Sequence, residues 1–302
     1  MFLCLVATTS SPPTHVPCKR IRYFHIPKAG SSFAEYVWAW ACPSLPLEKR
    51  MITLIRGLTS FADLNQGYRA GLCQCSKSYN VSGTSLESEY HHQPMKMEYM
   101  VAASAGLFRA PAARIVSAFN YGLHAHGMEP AGRTGATPMK AAVRGASKSR
   151  QLQLATYAHW PGVASVATKM LLGLSPSAVA VLNATDVQMA VSRVSKMAFV
   201  GLTECFDESA ALFMRVFPGR VYPNHPSHVR DGALNSSRAR SSDEALLCSS
   251  GFADVPDATV YRAAMTRFLQ DLRAAGLSVQ GDSCGAALHE WQLNRTSACP
   301  TM

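Results

Sequence analysis

The sequence predicts an α/β fold with a central parallel sheet flanked by helices. Short apolar runs at 21–26, 104–108 and 198–202 alternate with longer amphipathic stretches, the pattern of strands joined by helical crossovers. Hydrophobic residues make up 48% of the 302, enough for one large domain to bury a proper core. There is no internal repeat and no heptad run.

The elements follow in order. Strand 21–26 stops at Pro27, and the turn Lys28-Ala29-Gly30-Ser31-Ser32 opens into helix 31–41. After an irregular segment at 60–95 come strand 104–108 and helix 112–123, with Pro111 near the first turn, where its missing N–H costs nothing. A basic, largely helical insert spans 136–172. Helix 186–197, strand 198–202 and helix 207–217 continue the alternation, a loop-rich stretch covers 218–256, and helix 257–275 closes it. Residues 1–19, with Pro12, Pro13 and Pro17, read as a leader or stem remnant. Residues 20–276 form the domain and 277–302 a Cys-containing C-terminal tail.

Two of the strand ends carry chemistry. A strand that breaks into a small-residue turn and reopens as a helix presents backbone N–H groups and a positive helix end, a ready anion site. Lys28 adds a point charge at its mouth. The lysine precedes the glycine, so the Walker order of glycine, four residues and Gly-Lys-Ser/Thr is absent, which disfavours an ordinary ATP or GTP loop. In the second element, GLFRAPAARIVSAFNY at 106–121, Arg109 ends a strand and Arg114 and Ser117 recur at i, i+3 on the helix beyond. Arg109 and Ser117 are suited to converge on a second phosphate, while Arg114 alone reads as a solvated helix residue.

This pair of elements resembles the nucleotide sites of the sulfotransferases that use 3′-phosphoadenosine 5′-phosphosulfate (PAPS), in particular the Golgi carbohydrate sulfotransferases of heparan sulfate 2-O and 6-O type. HIPKAGSS resembles their 5′-phosphosulfate loop, and RAPAARIVS their 3′-phosphate element, with Ala110 where the family usually has Asp. TKMLLG at 168–173, FVGLTECFDE at 199–208 and DATVYRAAMTRFLQD at 257–271 resemble later family stretches in the same order, so the likeness covers about 20–275. It implies a P-loop-NTPase-like sulfotransferase fold, PAPS as co-substrate with no metal, and a hydroxyl acceptor, most naturally an anionic or neutral glycan. It also implies binding by Lys28, Ala29, Gly30, Ser31 and Ser32 at the 5′ end and by Arg109 and Ser117 at the 3′-phosphate. Lys28 would steady the leaving 5′-phosphate. The heparan-type members use a histidine base between the two elements. Here His91 and His92 occupy that stretch, 17 or 18 residues before Arg109, with His92 the first choice and His91 the second. A neutral imidazole suits the task at lumenal pH.

Two other classes stay open. A nonenzymatic glycan-binding protein on the same fold is favoured by Ala110. A kinase or NTPase needs a Walker lysine and a Mg²⁺-holding Asp, neither of which has a place here. His159-Trp160 reads either as a stacking platform or as a core tryptophan beside a turn.

The net charge is +10 with only 16% charged residues, and the isoelectric point is about 9.3, which suits polyanionic partners. No nucleic-acid-binding module pattern appears. No acidic residue stands between Glu129 and Asp186, where Arg133, Lys140, Arg144, Lys148, Arg150 and Lys169 fall. This stretch reads as a surface for an acidic acceptor or as an ordinary solvated face.

Compartment is argued from asparagine and cysteine. Four of the seven asparagines, Asn80, Asn183, Asn235 and Asn294, begin an Asn-X-Ser/Thr sequon, which favours passage through a secretory lumen such as the Golgi. Of the nine cysteines, eight remain if Cys4 lies in a leader, an even number suited to disulfides, with Cys284 and Cys299 placed to staple the tail. Cys73 and Cys75 are too close together for a zinc knuckle. Met1 to Ala7 is apolar but far short of a membrane span and lacks a basic start. The family's animal members are generally type II membrane proteins, so the resemblance implies an anchor missing from this chain, unless the leader is a poor one or the protein stays outside the pathway. The sequence leaves oligomeric state open.

Overall fold

A computed structural model describes residues 22–30, 33, 94–95, 98–123, 138–146, 149–217, 237–280, 284–286 and 288–289. The predicted helix 31–41 apart from Phe33, nearly all of segment 60–95 and the leader at 1–19 lie outside the described residues, as does most of the tail.

Three parallel strands form the sheet in the order β1 (Arg22–Tyr23), β2 (Ser104–Phe108) and β3 (Phe199–Leu202). In register, Tyr23 faces Ala105, and Ala105 faces Phe199. The first strand is shorter than the predicted 21–26, because the chain leaves the ladder after the Phe24 N–H donates to the Ala105 carbonyl at 2.7 Å. Every residue of β2 and β3 is buried, as expected for parallel strands covered on both faces.

Helices surround this sheet. In chain order they are α1 (Glu98–Ala102), α2 (Pro111–Asn120), α3 (Pro138–Ala146), α4 (Arg150–Ala158), α5 (Val166–Leu171), α6 (Ala184–Lys196), α7 (Phe206–Val216), α8 (Ser237–Ser249) and α9 (Val255–Ala274). The strand 104–108 and the helices after β2 and β3 stand where the sequence predicts them. None of the described helices is long and apolar enough to cross a membrane.

Two apolar clusters hold the layers together. The first packs the sheet against α5, α6, α7 and α9 through residues such as Leu107, Phe199, Val194, Phe213 and Phe268. Phe33 is at its centre, fully buried, stacked on Phe199 at 5.5 Å and edge-on to Phe206 and Phe213. The second cluster lies on the outer face of α2, where Ile115, Phe119, Tyr157 and Leu247 join α2 to α3, α4 and α8. Between them the clusters bury all of α2 except Ser117 and Asn120. Trp160 packs against the second cluster, which agrees with its reading as a core residue.

Two expectations are corrected here. The stretch 218–256 is not loop throughout, since α8 occupies Ser237–Ser249, held by Asp243 and Leu247. Arg114 is not solvated; it is 2% exposed. Cys284 pairs with Cys205, which staples the tail to the turn after β3 across 79 residues, as the sequence allows.

Candidate functional site

The candidate site is built where β1 and β2 end side by side. The carboxyl ends of parallel strands are where open α/β sheets receive ligands, since the loops there are free of the ladder. After β1 the chain turns through Lys28 at φ +63° and Gly30 at φ +80°. The Ala29 N–H closes the turn on the Ile26 carbonyl at 3.0 Å, and the Phe33 N–H donates to the Gly30 carbonyl at 2.9 Å. The Tyr23 hydroxyl donates to the same Gly30 carbonyl at 2.7 Å. The turn is thus fixed from the strand before it and from the phenylalanine core after it.

Glycine is required at position 30 on two counts. Its φ lies in the left-handed region, and a Cβ there would stand 2.5 Å from Leu107 Cδ1. Ala29 is fully buried, with its N–H spent inside the turn, so its part is to hold the turn's shape. Ser31 and Ser32 lie outside the described residues, as do His91 and His92.

The second element meets the first directly. Arg109 Nη1 donates to the Lys28 carbonyl at 3.1 Å, joining positions 81 residues apart. The Lys28 ammonium lies 3.7 Å from the ring centroid of Tyr121, a cation–π contact. Tyr121 is one helical turn beyond Ser117, and its N–H donates to the Ser117 carbonyl at 3.2 Å. Ser117 and Tyr121 therefore share a face of α2, the face that Lys28 reaches. Ser117 is half-buried, and among the described residues its hydroxyl has no hydrogen-bond partner.

Glu204, in the turn after β3, completes the frame. Its Oε1 accepts from the Ala110 N–H at 3.0 Å and its Oε2 from the Tyr261 hydroxyl at 3.2 Å. Burial pushes this carboxyl above the usual carboxylate range, while the Arg109 charge and the Ala110 N–H pull the other way. Glu204 thereby braces the backbone just after Arg109. Sequence reasoning misses both Glu204 and Tyr121. The available signal is positional: Glu204 is an acidic residue just beyond an apolar strand end, and Tyr121 ends the helix that follows Arg109.

Arg114 turns away from the site. Its Nη2 donates to the Val163 carbonyl at 2.6 Å and lies 3.4 Å from Asp257 and 4.0 Å from Asp254. Asp257 in turn accepts from the N–H and hydroxyl of Thr168, both at 2.8 Å. The sequence stretches at 106–121, 168–173, 199–208 and 257–271 are therefore joined by side-chain hydrogen bonds centred on Asp257 and Glu204.

The basic insert is only partly a surface. Lys169 is 4% exposed, and its ammonium donates to the Pro161 carbonyl at 2.7 Å; burial lowers its pKa. Arg150 is paired with Asp243 at 2.7 Å. Arg144 is exposed and Lys140 half-buried, while Arg133 and Lys148 lie outside the described residues. A cleft of about 440 Å³ is lined by Glu204, Asp207, Glu208, Leu272 and Gln280. The charges of Asp207 and Glu208 disfavour an anionic ligand in this cleft.

No protein-family model, curated protein or solved structure matches this chain.

Proposed function

We propose that this protein transfers a sulfuryl group from PAPS to a hydroxyl of an acceptor, with a carbohydrate the first candidate, on a P-loop-like sulfotransferase fold. The observation that carries the reading is the bond from Arg109 to the Lys28 carbonyl. It joins two anion-suited elements at the ends of neighbouring parallel strands, and a nucleotide with phosphate at both its 3′ and 5′ positions needs two such elements.

The residues then have distinct tasks. Lys28, with Gly30, Ser31 and Ser32, neutralises the charge that builds on the 5′-phosphate as the bond from its bridging oxygen to sulfur breaks and the acceptor oxygen binds sulfur in line. Arg109 and Ser117 hold the 3′-phosphate, which sets this donor apart from ATP. His92, or His91 in its place, takes the proton from the acceptor hydroxyl. Ala29 and Glu204 keep the two backbones in register. The sequons and the Cys205–Cys284 disulfide favour an oxidising, lumenal compartment such as the Golgi.

A second reading, a glycan-binding protein without catalysis, is favoured by Ala110 and by the engagement of Lys28 with Tyr121. Calorimetry with 3′,5′-bisphosphoadenosine, the donor's product, tests the donor site without knowledge of the acceptor. We expect micromolar binding by the wild type, lost by at least tenfold in Lys28→Ala and in Arg109→Ala, a loss of about 1.4 kcal/mol or more, with ATP much weaker throughout. No binding by folded, disulfide-formed wild type removes the sulfotransferase reading. Binding without transfer of label from PAPS to any of a panel of polysaccharides leaves the glycan-binding one.

A further inference from the structure

Between α5 and α6 the chain crosses open surface. Residues 178–183, Ala-Val-Ala-Val-Leu-Asn, form neither helix nor strand. Val179 is 89% exposed and Val181 100%. The two valines, two residues apart, leave a strip of apolar surface in water. The strip runs into Asn183, which is exposed and begins the sequon Asn183-Ala184-Thr185.

Asn183 is also the N-cap of α6, and the two roles use different atoms. Its Oδ1 accepts the Asp186 N–H at 3.0 Å, its own N–H donates to Asp186 Oδ2 at 3.0 Å, and its carbonyl accepts the Val187 N–H at 3.1 Å. A backbone N–H at Asp186 demands the carbonyl oxygen of the side chain, which turns Nδ2 outward, and no described residue bonds to it. The nitrogen that would be glycosylated is therefore the one polar atom of Asn183 that the cap leaves unused. A glycosylated asparagine remains a planar amide with the same acceptor oxygen, so the capping box survives the modification.

We propose that Asn183 carries an N-linked glycan whose first sugars cover the apolar strip at 178–182. The proposal rests on the lumenal compartment of the functional reading, and not on sulfuryl transfer itself. The Nδ2 atom forms a bond to the anomeric carbon of an oligosaccharide linked to a polyprenyl pyrophosphate. The bond from that carbon to the pyrophosphate oxygen breaks, the lipid pyrophosphate leaves, and the amide loses one proton to the transferring enzyme's base. Pyranose rings present C–H faces beside their hydroxyls, so a sugar seated next to Val181 removes apolar surface from water while keeping its own polar groups wet.

The full chain is expressed in eukaryotic cells behind a cleavable secretion signal. Amidase release of glycans in heavy-oxygen water then converts each occupied asparagine to a labelled aspartate, which mass spectrometry reads. Label at position 183 is expected. Thr185→Ala, which keeps the cap, and Asn183→Asp, which keeps a capping oxygen, are both expected to lose the label and to bind an apolar dye at least twofold more, with helix content unchanged. Unlabelled Asn183 overturns the site. Bisphosphoadenosine binding by the same preparation stands or falls separately.

Discussion

At Gly30 the left-handed backbone and the contact with Leu107 act together, so Gly30→Ala meets both backbone strain and overpacking. Each costs on the order of 1–2 kcal/mol, and a loss of about 2–4 kcal/mol in a urea titration, with weakened bisphosphoadenosine binding, is the expected result. A variant with wild-type stability would mean that the turn relaxes freely. Asp254 makes a different argument. Its carboxyl is fully buried and pushed up to about 6, first by burial and then by the Asp257 charge, against Arg114 and the Ser165 N–H and hydroxyl. A carboxyl whose folded pKa exceeds its unfolded value holds its proton longer in the folded state. Its contribution is therefore complete below about pH 4 and is lost as pH rises through about 6. The difference in stability between wild type and Asp254→Asn, measured from pH 4 to 7, should shift in that direction, with wild type losing ground as pH rises.

Among the elements, α8 shows how a helix arises without a strong sequence pattern. Its sequence, SRARSSDEALLCS, has little amphipathic order and several residues that favour caps and turns, so it reads as loop. Tertiary contacts override that preference. Asp243 accepts from Arg150 Nε and Nη2 and from Asn120 Nδ2, and Leu247 is fully buried in the second cluster. The hydrogen bonds from Arg150, and then that from Asn120, hold the Asp243 carboxyl below its ordinary range. Its contribution is therefore present above the unfolded pKa and lost as acid protonates it. Arg150 is about half exposed, which discounts the pair. Asp243→Ala should cost about 1 kcal/mol and raise amide exchange across 237–249 before any other helix. Uniform exchange across the molecule would show that α8 unfolds only with the whole. By contrast β2 and α2 were legible, because an apolar run, a proline at the first turn and an amphipathic period are local signals.

For the molecule as a whole, the Cys205–Cys284 bridge sets the relation of tail to sheet. Cys205 follows Glu204 and caps α7, so the bridge anchors the tail beside the frame that supports Arg109. Closing 79 residues restrains the unfolded chain, and removing such a link costs about 2–4 kcal/mol. Cys284→Ser should lower stability by that amount in non-reducing conditions, whereas under full reduction wild type and variant should converge. If they differ equally in both conditions, the cost is one of packing in the buried Cys205 pocket. The positive charge also distributes itself at this scale. Lys169 and Arg114 go into the interior with Asp254 and Asp257, so part of the acid-free stretch 130–185 is balanced by α9 and never becomes a surface.

The sequence by itself determined the alternation of strands and helices, the turn of Lys28 and Gly30, and Arg109 at the end of the next strand, because each depends on residues within one or two turns of one another. Only the tertiary structure decided what those residues touch. Arg109 meets the Lys28 carbonyl across 81 positions, Glu204 reaches Ala110 across 94, and Arg114 reaches Asp257 across 143. Such pairings depend on the order in which parallel strands lie side by side and on which face each helix buries. That order is set by the burial of apolar surface over the whole chain, and no local window contains it.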